Sequence, residues 1–212
     1  MKTLALIARK PGLSRDEFRA HYETQHAPLA LPLMSGLLRY VRHHVTEELH
    51  GAAGFDVATA FTYRDAAAMR SVVAKLATPA GDAVLRDELR FMDKPRNRFF
   101  ELRDVEETGA RGEPARVSII VLARRAAGQG EHEFASRALP DLRDAVAGLR
   151  WSLHNDSLAT FGEPPWHTVT FLHCEAAASI GAWCVARERE AARVVALRVS
   201  EHETPLPPAG VP

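Results

Sequence analysis

Residues 9–29 read Arg9-Lys-Pro-Gly-Leu-Ser-Arg-Asp-Glu-Phe-Arg-Ala-His-Tyr-Glu-Thr-Gln-His-Ala-Pro-Leu29. Before them Leu4, Leu6 and Ile7 carry a strand pattern that ends at Arg9-Lys10, and Pro11-Gly12 marks a turn. Ser14 followed three residues later by Glu17 spells a capping box, so a helix starts here without tertiary help. Pro28 disfavours the α region at Ala27, which predicts a helix end at or near His26. Between these limits Phe18, Tyr22 and His26 recur at i, i+4 and i+8 and share a face with Leu29; Arg15, Arg19 and Glu23 share another. An imidazole and a phenol therefore lie on the apolar side of the helix.

After Pro32 and Gly36, Leu38–Thr46 reads as a strand with Tyr40, Arg42 and His44 on one side and Val41, His43 and Val45 on the other. Phe55–Tyr63 is a second strand. A helix follows from an Asp65 N-cap to Lys75, a shorter one spans Gly81–Phe91 beyond Pro79, and Arg96–Arg103 closes a βαββαβ unit. The string Lys10-Pro11-Gly12-Leu13-Ser14-Arg15-Asp16-Glu17-Phe18, with Tyr22, His26-Ala27-Pro28-Leu29 and Leu38-Arg39-Tyr40-Val41, resembles an EthD domain of the dimeric α+β barrel superfamily over residues 1–105. The resemblance implies a ferredoxin-like unit, two of which pair sheet to sheet into a barrel around a small-molecule pocket. It also implies an association with catabolic oxygenation, within a superfamily of cofactor-free monooxygenases, isomerases, cyclases and dehydratases.

The whole chain sets bounds. Its 212 residues, 46% hydrophobic and 25% charged, suit one large or two small globular domains. Lys+Arg and Asp+Glu are both 27, so there is no basic field and nucleic acid is not an expected partner. Only six residues separate Lys2 from Arg9, too few for a signal-peptide core or a membrane span, which gives the expectation of a cytoplasmic protein with no membrane partner. Cys174 and Cys184 have neither a metal spacing nor a secreted-scaffold density and read as small buried side chains.

A polar segment, 104–115, with Glu106-Glu107, Gly109, Gly112 and Pro114, is the expected linker between a first unit at 1–103 and a second at 116–202. Beyond it the pattern returns. Arg124-Arg125, Gly128 and Glu133-Phe134 echo the first helix entry at an offset of 116, and Leu149-Arg150-Trp151 with His154 echoes Leu38-Arg39-Tyr40 with His43 at 111. The strand 167–173 falls at the same 111-residue offset from 56–62. The second half reads as a diverged copy, and the expected fold is α+β: two ferredoxin-like units forming an intrachain dimeric α+β barrel, open to further homodimerisation. Residues 203–212 read as a loose tail.

Where the first copy has His21, Tyr22 and His26, the second has Arg137, Ala138 and Leu142, which predicts one working pocket and one degenerate one. His26 is the candidate acid/base, at a helix end that favours its protonated form, with Tyr22 one turn earlier as donor to a substrate oxygen. The alternatives are a capping histidine and a core tyrosine. Tyr40, Arg42 and His44 are the candidate substrate-binding residues if their face lines the barrel; a solvated strand face is the other reading. His43, echoed by His154, is read as structural, and His167 and His173 as interior polar residues. No metal constellation and no Gly-rich phosphate loop is present, so neither a metal nor a cofactor is expected. The function so reached is a cofactor-independent enzyme acting on a hydrophobic carbonyl or phenolic small molecule, by oxygenation, isomerisation, dehydration or cyclisation. A non-catalytic ligand-binding or accessory protein for an oxygenase system is the second reading, and a haem-binding relative a third that the residues do not support.

Overall fold

In the computed structural model, residues 1–111, 115–129, 142–189 and 191–206 are described. Among them eight strands form a closed antiparallel barrel in the order β1-β3-β2-β8-β5-β7-β6-β4. Their ranges are β1 Lys2–Ile7, β2 Leu37–His50, β3 Val57–Tyr63, β4 Arg98–Gly109, β5 Val117–Arg125, β6 Trp151–Leu158, β7 Thr168–Cys174 and β8 Ala191–Glu203. The helices are α1 Arg15–His21, α2 Ala27–Ala30, α3 Ala66–Leu76, α4 Asp82–Phe91 and α5 Ile180–Arg187. The chain divides into two compact units. The first holds Met1–His44, Gly54–Phe99 and the stretch from His202; the second holds Val45–Ala53 and Phe100–Glu201.

In the first unit β1 enters a turn at Gly12, whose φ of 95° suits a residue without Cβ. Asp56 secures that turn: its carboxylate accepts from the Arg9 backbone N–H at 2.9 Å and from Arg9 Nε at 3.0 Å. The capping box forms as expected. Ser14 Oγ accepts from the Glu17 N–H at 3.2 Å and Glu17 Oε2 accepts from the Ser14 N–H at 2.8 Å. The helix does not end at His26. It opens into a π turn over Tyr22–His26, closed by the Ala27 N–H donating to the Tyr22 carbonyl, and then continues as α2. A proline inside an α-helix clashes with the carbonyl four residues back, and the wider turn absorbs Pro28 where a break was expected. Asp65 caps α3 by accepting from the Ala68 N–H at 2.7 Å. Buried Phe18, Tyr22, Ala68, Met69, Val72, Phe91 and Met92 pack with Ile7, Tyr40, Val57, Phe61 and Tyr63 from the strands.

Two chain segments are more ordered than the sequence predicts. β4 runs to Gly109, six residues into the stretch 104–115, because Asp104–Gly109 pairs with β6 across a bulge between Asp104 and Glu106. The end of β8 is held as well. Arg39 grips Glu203 with two hydrogen bonds, 2.8 and 3.0 Å, and the Thr204 N–H donates to the Tyr40 carbonyl at 3.1 Å. The rest of the expected tail, residues 207–212, lies outside the described residues.

In the second unit β5 pairs with β7 in a register that places Ser118 opposite His173, and in the first unit β1 pairs with β3 with Lys2 opposite Thr62. These pairs differ by 116 and 111 residues, the offsets found in sequence. Thr170 faces His154, whereas Thr59 faces Arg42 and Ala58 faces His43. The second core is built from Ile119, Val121, Leu172, Cys174, Ile180, Trp183 and Cys184 among others, and both cysteines are free thiols buried there.

Candidate functional site

The layer between the helices and the sheet of the first unit holds two linked polar clusters in an aromatic setting. One centres on Asp87, on the inward face of α4 with Val84 and Phe91 and only 5% exposed. Its carboxylate lies 3.1 Å from His26 Nδ1 and 2.9 Å from His21 Nε2. A carboxylate accepts, so both ring nitrogens donate to it. The His26 proton then sits on Nδ1 and a neutral ring presents Nε2 as a lone pair. Burial pushes the His26 pKa down, against the hydrogen bond to Asp87 that raises it, and the ring is neutral around pH 7. Tyr22 and Phe91 enclose it, with ring centroids 5.2 and 5.0 Å away.

The second cluster centres on Glu23. Arg42 Nε donates to it at 2.8 and 3.0 Å and Arg42 Nη2 at 2.7 Å, His44 Nε2 stands 2.6 Å from Oε1, and His202 Nε2 stands 3.3 Å from Oε2. Burial resists ionisation of Glu23, but the bonds from His44 and Arg42 outweigh it and hold the pKa at about 2. Burial likewise lowers the His44 pKa despite Glu23 beside it, so a neutral imidazole donates to a carboxylate. The Arg42 guanidinium lies over the Tyr40 ring with Cζ 4.2 Å from the centroid, and Tyr40 stacks on Phe61 at 5.1 Å.

Tyr22 joins the two clusters. Its hydroxyl is 3.1 Å from Thr59 Oγ1 and 3.5 Å from the Tyr40 hydroxyl, and its ring is edge-on to His26 and to His44. Burial raises the pKa of both phenols, so they are neutral donors.

All five residues singled out in sequence, His26, Tyr22, Tyr40, Arg42 and His44, thus meet in one layer. The face of β2 is the reverse of the one needed to line a barrel: Tyr40, Arg42 and His44 turn toward the helices, where Glu23 and Tyr22 supply polar partners, and Val41, His43 and Val45 take the opposite side. Glu23, Asp87 and Thr59 were not anticipated. Asp87 had a signal, a carboxylate on the apolar stripe Val84, Asp87, Phe91; Glu23 had none, because the π turn moves it off the face it would share with Arg15 and Arg19.

The comparison positions in the second unit differ. Leu142 is buried in the apolar core, and Arg137 and Ala138 lie outside the described residues. His154 Nδ1 pairs with Thr170 Oγ1 at 2.8 Å, and burial lowers its pKa to about 4. Two cavities in this unit, of ≈ 120 and ≈ 500 Å³, share Arg125, Glu163 and His167 in their linings, and the second falls within the roughly 300–1,000 Å³ of an organic-ligand pocket. His173 is paired with Glu201 at 2.6 Å. Among the described residues no group of His, Cys, Asp and Glu is arranged to hold a metal ion, and no helix is long and apolar enough to cross a membrane.

Residues 10–95 match the EthD domain family. No curated protein matches the chain. Among solved structures it is similar to an anthrone oxidase-like protein (10% identity, 99% of this chain and 95% of that one, TM-score 0.66). It is also similar to a protein provisionally assigned as a monooxygenase from Lactobacillus acidophilus NCFM (12% identity, 96% and 94%, TM-score 0.52). A variant chlorite dismutase from Candidatus Nitrospira defluvii is a third (10% identity, 94% and 90%, TM-score 0.52). At these identities the likeness is one of fold.

Proposed function

Because residues 10–95 carry an EthD domain, we propose that this chain is a small-molecule enzyme whose first unit transfers a proton to and from a hydrophobic carbonyl or phenolic compound, with His26 as acid/base. The observation that carries the reading is the buried His26–Asp87 pair. Asp87 fixes the tautomer and orientation of the ring, and Nε2 has no hydrogen-bond partner among the described residues. Tyr22 and Tyr40 are the donors placed to meet a developing enolate or phenolate oxygen. The resulting anion has several fates: protonation at another carbon, expulsion of a leaving group, ring closure, or capture of dioxygen as co-substrate. The oxidase-like and monooxygenase-like neighbours favour the last, within a catabolic oxidation.

We also infer that the halves 1–103 and 116–202 are diverged copies of one ferredoxin-like unit and that the barrel is the intrachain form of a dimeric one. Supporting this, Arg9 Nη1 donates to the Leu13 carbonyl and Arg125 Nη1 to that of Gln129, 3.0 Å away, while the Arg125 N–H meets His167 where the Arg9 N–H meets Asp56.

The test is solvent deuterium exchange into the acidic C–H positions of a panel of hydrophobic ketones and phenols, followed by NMR. Exchange catalysed by the native protein, and slowed 100-fold or more by His26→Gln and by Asp87→Asn with binding retained, is the expected result. Equal exchange by His26→Gln overturns the role. The close packing around His26, 4% exposed, favours a second reading, a ligand-binding accessory protein, for which every variant binds and none of the proteins catalyses exchange.

A further inference from the structure

The proton-transfer reading leaves Arg42 unexplained. Its side chain is 1% exposed, three of its hydrogen bonds go to Glu23, and Nη1 has no partner among the described residues. His44, 3% exposed and bonded to the same carboxylate, has an equally unpartnered Nδ1. A folded protein rarely leaves a charged donor buried without an acceptor, and an unfilled donor among aromatic rings is what a bound polar group completes. The guanidinium carbon lies over the Tyr40 ring, 4.2 Å from its centroid, so a group bound to Nη1 would sit near that ring. The group it suits is a conjugated oxyanion, a phenolate, enolate or carboxylate, that accepts from Nη1 with Tyr40 close by.

The end of β8 lies beside this cluster. His202 contacts Glu23, Glu203 is gripped by Arg39, and the Thr204 N–H is bonded to the Tyr40 carbonyl. His202 and Glu203 are each 49% exposed at the side chain, and exposed ion pairs of this kind hold a segment only weakly. This strap therefore opens more readily than the buried Arg42–Glu23 pair beneath it can separate. We propose that Arg42 Nη1 docks the conjugated oxyanion of the bound molecule, and that the segment His202–Thr204 is the gate over this subsite. The proposal rests on reading the first unit as a small-molecule site.

The test uses 4-nitrophenolate, whose visible band reports its surroundings, with benzoate as competitor. The expected result is saturable binding to the native protein, weakened at least tenfold by Arg42→Lys and changed less than twofold by Ser14→Ala. Where Arg42→Lys is poorly folded by circular dichroism, the paired substitution Glu23→Gln with Arg42→Gln removes both charges together and must also lose binding. Arg39→Ala and Glu203→Ala are expected to speed association at least fivefold in stopped flow. Undiminished affinity in the Arg42 variants, or no binding of either probe by the native protein, overturns the docking role; an unchanged association rate in the strap variants overturns the gate. Deuterium exchange that persists while phenolate binding fails sinks this subsite and leaves His26 in place, whereas binding without exchange does the reverse.

Discussion

Three basic side chains, the Arg42 guanidinium, His44 and His202, converge on the two oxygens of Glu23. Removing it strands a buried guanidinium, and breaking a buried pair from one side costs about 3–5 kcal/mol. Glu23→Gln is expected to destabilise the protein by about 3 kcal/mol in denaturant unfolding, and Arg42→Gln added to it by much less than its own single effect. The sign with pH follows. The folded pKa of about 2 lies below the ordinary Glu value of about 4.3, so the stabilisation is complete above pH ~4.3 and fades as pH falls toward 2. A native protein whose stability between pH 4.5 and 2 falls no faster than that of Glu23→Gln contradicts this. The same scale shows what the sequence displayed. Helical spacing put Tyr22 and His26 on one face and strand alternation put Tyr40, Arg42 and His44 on another, and local periodicity suffices for such groupings. It does not say which faces meet, so Asp87, 61 residues from His26 in the chain, stayed out of view.

Among the elements, the π turn over Tyr22–His26 has the largest consequence, because one extra residue per turn shifts the phase of all that follows. Glu23 and His26 reach the buried layer beside Tyr22 through it, and Pro28 sits at the start of α2 where its missing N–H costs nothing. The N-terminal end of this helix was legible because a capping box is a local signal; the C-terminal end was misread because Pro28 marks a break or a widened turn equally well. Deleting Thr24 is expected to restore α geometry and turn His26 away from Asp87. The variant should keep its far-ultraviolet dichroism yet lose proton exchange as fully as His26→Gln; retained exchange separates the turn from the site. At the other end, Ser14→Ala is expected to cost about 1 kcal/mol in thermal unfolding with exchange unaffected, since the cap touches nothing in the polar layer.

For the whole molecule, the strands do not respect the division that composition suggests. The polar stretch after Asp104 looks like a linker because strands exposed along much of their length read as polar, yet it is paired with β6 from Asp104 to Gly109. Val45–His50 of β2 likewise belongs with the second unit, where Thr46 Oγ1 donates to the Arg198 carbonyl at 3.1 Å. A fragment of residues 1–110 would carry both stretches with their ladder partners removed, two long unpaired edges rich in backbone donors and acceptors. It is therefore expected not to persist as a folded monomer, but to unfold or to pair with a second copy of itself, as a repeated unit of this kind allows. Size-exclusion chromatography with light scattering decides the matter: a folded dimer or an expanded chain fits, whereas a compact, cooperatively melting monomer shows that the first unit is complete without the rest. The full chain, by contrast, is expected to unfold in one transition. Within it His154 gives the second half a signature of its own. Its folded pKa of about 4 lies below the free value of 6.5, so its contribution is complete above pH 6.5 and lost as pH falls to about 4, roughly 3 kcal/mol in all. Because unfolding is shared, titrating this one residue in the second half is expected to lower the melting temperature of the first half with it. His154→Phe should flatten that slope in both halves, followed by Tyr22 and Tyr40 resonances on one side and Trp151 and Trp183 on the other. A slope that flattens only in the tryptophan signals shows that the halves melt independently.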